Sequence, residues 1–226
     1  MGKVLSDVGT LLHPGRLLDF GCGDGHFLEK TLRAAGIMLR SLDITVLDLV
    51  DEYRAKAAQC LAPWSRGPVQ SWTEFPKPHV EQFDRVVVNH VLYYVPDLAE
   101  TLNALWALLL NDGKMYITMG HEQENAWAAS WIGIFDAAGK PKPWHRSSEV
   151  RQRLEERGWS YHIQKVTSQL VFDDTAENRH SIGRLIFAEY LASLDPNVID
   201  ARFDLYAEAG MITMPLLDEI YCVEKS

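Results

Sequence analysis

The chain has 226 residues, 47% of them hydrophobic, which is enough for one large domain with a buried core. Its formal net charge of -9 argues against a general binder of nucleic acid, whose phosphates need clustered Lys and Arg. Cys22, Cys60 and Cys222 are odd in number and share no metal-ligand spacing, so neither a disulfide framework nor a metal site is expected, and reduced thiols point to the cytoplasm.

Strands and helices alternate from Arg16 onward, which predicts an α/β, doubly wound, Rossmann-like fold. The first strand ends in the run LLDFGCGDG, Leu17 to Gly25, and Phe27, Leu28, Leu32 and Ala35 then recur at helical spacing up to Gly36. Leu42 to Leu47 reads as the second strand, with Asp48 at its end, followed by a helix carrying Val50, Tyr53, Ala57 and Cys60 on one face. A third strand is expected at Val69 to Trp72 and a doubly buried fourth at Phe83 to Val88, whose mouth is Asn89 to Tyr94. Pro96-Asp97 opens a helix with Asp97 as cap, Glu100 three residues on, Leu98, Leu102, Leu105 and Leu109 inward, and Asn111-Asp112-Gly113 as its stop. Lys114 to Met119 is a fifth strand, Ser147 to Arg157 a helix, and Ser160 to Val166 a sixth strand. Helices at about Ala176 to Leu194 and Val198 to Ala209 precede a last strand at Ile220 to Glu224. The expectation is a single domain over 1–226, built on seven mostly parallel strands covered on both faces, with 172–214 as a helical lid inserted before the last strand.

No apolar stretch is long and uninterrupted enough to span a bilayer, and no secretory segment opens the chain. The start MGKVLS fits an N-myristoylation pattern, yet a single acyl chain without a basic cluster anchors weakly, so no membrane partner is expected.

Gly21, Gly23 and Gly25 leave bare backbone where a strand passes into a helix, and main-chain N–H groups can face a ligand there. The spacing departs from the dinucleotide G-x-G-x-x-G, because the third glycine comes one place early and His26 stands where glycine is wanted. Asp19 and Asp24 add negative charge that suits a cation better than pyrophosphate. S-adenosylmethionine carries a sulfonium and an ammonium, and D-x-G-x-G-x-G after an apolar strand resembles motif I of the class I methyltransferases; a glycine-rich turn with no ligand is the plainer reading.

Ligands of open parallel sheets sit beyond the carboxyl ends of the strands. That rule gathers Gly21 to Gly25, Asp48, Trp72-Thr73, Asn89-His90 and Gly120-His121-Glu122. An acid after the second strand can accept both ribose hydroxyls; Asp43 and Asp48 compete for this place, and Asp48 gives the better strand and helix, while either can be an ordinary helix cap. Trp72 or Thr73 can flank the adenine, or Trp72 can be core.

The segment FDRVVVNHVLYYVPD, Phe83 to Asp97, resembles the part of the histamine N-methyltransferase family in which paired tyrosines follow the fourth strand, and the likeness continues through GKMYITMGHEQENAWAASW. The resemblance implies cofactor contacts at or near Gly21, Asp48, Tyr53, Thr73 and Asn89, and an aromatic substrate pocket from Tyr93, Tyr94, Trp127, Trp131 and Phe172. Such a cage suits an amine or heteroaromatic, although Trp127 and Trp131, one helical turn apart, can equally be packing residues. The family's N-terminal acidic residue and its asparagine before the last strand have no counterpart here, which makes histamine itself a poor substrate candidate.

The expected reaction is transfer of the sulfonium methyl to nitrogen of a small molecule, with His90 and Tyr94 at the reacting centre and His121 or Glu122 as alternative proton acceptors. Transfer of the cofactor's 3-amino-3-carboxypropyl group, or a cofactor-binding subunit without chemistry, are the competing functions. A monomer or weak homodimer is expected.

Overall fold

Short runs of aliphatic and β-branched residues, each followed by a helical period, give the chain its frame. The computed structural model describes residues 15–75, 82–137, 139 and 143–225. The MGKVLS start lies outside the described residues. The elements are β1 (Gly15–Phe20), α1 (His26–Ala34), β2 (Leu42–Leu47), α2 (Asp51–Leu61), β3 (Gln70–Trp72), β4 (Phe83–Asn89), α3 (Leu98–Ala107), β5 (Leu109–Gly120), α4 (Ala126–Ala137), α5 (Ser147–Glu156), β6 (Ser160–Asp173), α6 (Ala176–Phe187), α7 (Pro196–Asp204), β7 (Ala207–Glu208) and β8 (Met211–Glu224). Short 3-10 turns lie at Leu92–Tyr94 and Ala188–Ser193.

The strand order is β3-β2-β1-β4-β5-β8-β6, with β7 paired antiparallel to β8. Eight strands replace the seven expected, because β7 spans only two residues and carries no readable period. β1 lies between β2 and β4 and runs parallel to both, in the register Leu18↔Thr45 and Leu18↔Val86. The chain therefore leaves β1 in one direction across the sheet and later returns to its other side, which opens a crevice at the carboxyl ends of β1 and β4. Leu17, Leu18, Val46, Val86, Val87 and Val88 are fully buried, as continuous apolar strands covered on both faces require.

Contacts divide the chain into two compact units. The first comprises Met1–Thr118, Val150–Gln164 and Ile220–Ser226, and the second Met119–Glu149 and Lys165–Glu219. In the first, Trp106 stacks on Trp159 at 4.1 Å, Lys225 lies 5.7 Å over the Trp106 ring, and Lys114 pairs with Glu224 at 2.6 Å. In the second, Trp131, Phe135, Trp144 and Tyr190 form an aromatic cluster with edge-to-face rings. Arg179 there holds Asp174 and Asp204.

Local signals place several elements as expected. β2 has the bounds Leu42–Leu47, and Asp97 caps α3 by accepting the Glu100 N–H at 2.8 Å. Other expectations need correction. Asn111-Asp112-Gly113 does not end a helix: it lies inside β5, where the Asp112 N–H donates to Lys225 O at 2.7 Å and the Lys225 N–H to Gly113 O at 3.0 Å. Leu109 is buried, but as the first residue of that strand. The buried face of α2 is Arg54, Ala57 and Leu61, while Val50 and Tyr53 are exposed. The reason is Arg54, whose guanidinium is drawn inward to the Asp48 carbonyl and the Asp51 carboxylate. Strands β6 and β8 take up 172–173 and 211–214 at the two ends of the expected insertion, leaving α6, the second 3-10 turn, α7 and β7 between them. Among the described residues no helix is long and apolar enough to cross a membrane, and no group of three or more His, Cys, Asp or Glu could hold a metal ion.

Candidate active site

Three left-handed glycines turn β1 into α1: Gly21, Gly23 and Gly25 have φ of 69°, 53° and 81°. The Gly21 and Cys22 N–H groups both donate to Leu47 O, at 2.7 and 3.2 Å, which ties the loop across the end of β2. The three glycines serve different ends. A Cβ at Gly21 would run into the Val91 side chain, and one at Gly25 would lie 2.8 Å from the Ala57 Cα. A Cβ at Gly23 would meet nothing within 4 Å, so the middle glycine is the one that presents bare backbone to open space.

Two carboxylates converge on this loop. Asp48 directly follows β2; its Oδ2 accepts the Gly23 N–H at 3.1 Å and its Oδ1 the Val50 N–H at 3.0 Å. Asp43, the other aspartate considered for this place, lies at the amino end of β2 opposite Arg16 and pairs with Arg66. Asp19 is 3% exposed, and burial first, then the charge of Asp48, pushes its carboxyl up to about 7. The same burial and the charges of Asp19 and Asp48 hold the Cys22 thiol well above its ordinary range. A cation placed here would relieve both carboxylates, and the open face at Gly23 leaves it room. These residues fit S-adenosylmethionine, which Gly23, Asp19 and Asp48 would hold. Leu49, Val50 and Tyr53, all exposed next to Asp48, supply apolar surface of the kind an adenine covers. Trp72 is half-buried, edge-on to Phe83 at 5.5 Å, while Thr73 beyond it is exposed.

The mouth of β4 carries the second group of side chains. His90 adopts φ 52°, uncommon for a residue with a Cβ, and its N–H donates to Thr118 O at 3.1 Å. Its ring lies parallel to that of Tyr93 at 6.1 Å, with Nδ1 3.3 Å from the Tyr93 hydroxyl. Tyr94 meets Tyr93 edge-on at 5.9 Å and is 58% exposed. Fully buried Leu92 anchors the 3-10 turn that presents both tyrosines. Asn89 stands in register with Thr118 on β5, and among the described residues the Asn89 Oδ1 and Thr118 Oγ1 are buried without a hydrogen-bond partner. Unsatisfied polar atoms are rare in protein interiors and mark places where a ligand or water belongs.

Thr118, Val91 and Arg54 also shape the site without a motif that marks them. Thr118 is a lone hydroxyl near the end of an apolar strand, which was its available signal; Val91 and Arg54 had none, since their roles depend on Gly21 and the Asp48 carbonyl across the fold.

The second unit holds the remaining expected residues. His121 Nδ1 accepts the Gln123 and Glu124 N–H groups at 3.3 and 3.1 Å, so this nitrogen is engaged in the turn before α4. Glu122 accepts the Ser148 hydroxyl at 2.7 Å. Trp127 is half-buried, whereas Trp131 is 3% exposed with its ring edge-on to Trp144 at 5.3 Å. Phe172 is half-buried against Phe203 at 6.0 Å, in a different cluster from Trp131.

Residues 2–163 match the family model described as a methyltransferase domain. A curated relative, the tRNA1(Val) (adenine(37)-N6)-methyltransferase of Yersinia pestis, is 27% identical over 176 residues, covering 62% of this chain and 68% of its own. Among solved structures, a candidate methyltransferase from Bacillus halodurans superposes with a TM-score of 0.63 at 15% identity, covering 99% of this chain and 98% of its own. The plantazolicin methyltransferase BpumL, solved with a desmethyl plantazolicin analogue and S-adenosylhomocysteine, has a TM-score of 0.53 at 15% identity, covering 100% of this chain and 86% of its own. The match is to the general methyltransferase domain and lends no support to the narrower histamine N-methyltransferase family. The chain belongs to the methyltransferase domain family and is a class I methyltransferase whose cofactor is S-adenosylmethionine.

Proposed function

We propose that the enzyme methylates a nitrogen atom of a small amine or heteroaromatic molecule. The observation that carries this reading is the mouth of β4, where Tyr94 is 58% exposed, edge-on to Tyr93, and His90 is held against the Tyr93 hydroxyl. Aromatic faces attract an ammonium or stack on a flat ring, each such contact contributing about 0.5–2 kcal/mol. The bound cofactor supplies an activated methyl carbon. The chain's own task is orientation: Gly23, Asp19 and Asp48 hold the donor, Asn89 offers a free acceptor, and Tyr93 and Tyr94 hold the substrate nitrogen. His90 takes the proton that an amine must lose, its ring kept in place by stacking on Tyr93.

The 27% identical relatives named for adenine N6 of a tRNA support a second reading, also at nitrogen, with a nucleic acid as acceptor. The formal charge of -9 weighs against it, since RNA binding rests on clustered cations. The deciding experiment supplies S-adenosylmethionine with a pool of primary and heteroaromatic amines, and separately with total tRNA, and reads products by mass spectrometry. Methylated amine with matching S-adenosylhomocysteine is expected, and Tyr94→Ala should lower that turnover about tenfold while leaving cofactor affinity intact. N6-methyladenosine in the tRNA digest with no amine product would favour the second reading. Methylthioadenosine instead of S-adenosylhomocysteine would mean transfer of the 3-amino-3-carboxypropyl group.

A further inference from the structure

The second unit carries the end of β6, from Lys165 to Asp173. β6 closes the strand order, so among the described residues no strand pairs with its outer edge. No residue along this strand is buried, and Lys165, Thr167, Ser168, Gln169, Val171 and Asp173 are exposed, Val171 at 52%. Its Val, Thr, Leu and Phe favour strands, and it holds no proline to blunt the edge. A long open edge of this kind is a template for pairing with another chain.

Backbone hydrogen bonds show which residues turn outward. The Asp174 N–H donates to Gly210 O at 2.9 Å, on the side where β8 begins, whereas the Asp173 carbonyl accepts the Thr175 N–H and Asn178 Nδ2, both at 2.9 Å. Strand groups alternate in direction, so the N–H and C=O of Lys165, Thr167, Gln169 and Val171 face the open edge with those of Asp173. Because the Asp173 carbonyl is already engaged, an added strand would take its main-chain bonds up to Val171 and meet only the side chain of Asp173.

We infer that β6 pairs antiparallel with β6 of a second copy of this chain, about a two-fold axis at Gln169. In that register Gln169 meets Gln169, Thr167 meets Val171 and Lys165 meets Asp173, each pair away from the axis forming twice by symmetry. Opposite charges then stand across from each other at both ends of the pairing. A shift of two residues in either direction sets each charge against a neutral side chain, and an axis at Lys165 brings like charges together. On the other face Val166 meets Phe172 and Ser168 meets Leu170. Within one chain Lys165 lies 3.5 Å from Glu124, with both side chains more than half exposed, a loose pair that leaves the ammonium able to reach Asp173. The paired edge is roughly 30 Å long, which gives a weak, concentration-dependent dimer rather than an obligate one. Pairing here uses none of the residues that would hold cofactor or acceptor.

Sedimentation velocity of the full chain, in reducing buffer at about 0.15 M salt and diluted from about 200 to about 2 μM, should show a monomer–dimer equilibrium. Gln169→Pro removes the N–H at the axis from an edge position that tolerates proline, so this variant should stay monomeric throughout with unchanged circular dichroism. Lys165→Asp and Asp173→Lys should each raise the dissociation constant about tenfold, and the double variant, which restores opposite charges in swapped order, should return to within about twofold of the parent. That rescue reads the register, and it serves as the test if Gln169→Pro does not fold. A parent that remains monomeric over the whole series, a dimer that survives in folded Gln169→Pro, or a double variant no better than the single ones would overturn the inference.

Discussion

Asp19 links stability and ligand binding through one carboxyl. An unfolded aspartate titrates near 4, whereas burial and Asp48 raise this one to about 7. Between those values the folded chain keeps a proton that the unfolded chain has lost, so stability falls as pH rises through that window, and above it the cost reaches about 4 kcal/mol. Asp19→Asn removes the cost. In thermal melts the variant should gain stability over the parent at about pH 8, by about 3 kcal/mol more than at about pH 5. A gain of equal size at both values would show that Asp19 is not the titrating group. The same substitution should weaken S-adenosylmethionine, since it removes the charge that a sulfonium or ammonium would meet. Residue identity alone told that an acid stood at this place. Its burial at 3% exposure was not legible, because it depends on β2 and β4 closing on both sides of β1.

The glycine loop behaves as an element in which position decides role. Gly25→Ala places a Cβ against the Ala57 backbone at φ 81° and should cost about 2–3 kcal/mol in urea unfolding, by separating α1 from α2. Gly23→Ala meets no atom and bears only its left-handed φ, about 1 kcal/mol, yet it fills the open face of the cradle. It should therefore lose cofactor affinity by more than tenfold while remaining folded. Normal cofactor binding by Gly23→Ala would remove the middle glycine from the ligand site. Elements set by local signals were legible in the sequence, as the β-branched run of β2 and the Asp97 cap of α3 show. Long strands were not. Asn111 to Gly113 carries turn residues, and its place in β5 follows from pairing with Lys225, more than a hundred residues away. The buried face of α2 was not legible for a similar reason, since the carbonyl of Asp48 brings Arg54 inward.

At the scale of the whole molecule, the meeting of the glycine loop with Asp48 was readable because its parts are set by local signals: three glycines after one strand and an aspartate after the next. The grouping of the aromatic residues was less so. Tyr93, Tyr94 and His90 form one cluster at the β4 mouth, while Trp131 and Phe172 are held in separate aromatic groups of the second unit, beside Trp144 and Phe203. Aromatic spacing in a sequence does not distinguish a ring that packs from a ring that binds, because both roles draw on the same apolar surface. Everything proposed for the acceptor depends on the cradle holding S-adenosylmethionine through Gly23, Asp19 and Asp48. Calorimetric titration with S-adenosylhomocysteine tests that claim most directly. Saturable binding is expected, weakened about tenfold or more in Asp48→Ala, which loses the bond that holds the Gly23 N–H and the carboxylate proposed to accept the ribose hydroxyls. Absence of saturable binding by the folded parent chain, to this compound and to S-adenosylmethionine alike, would contradict the account.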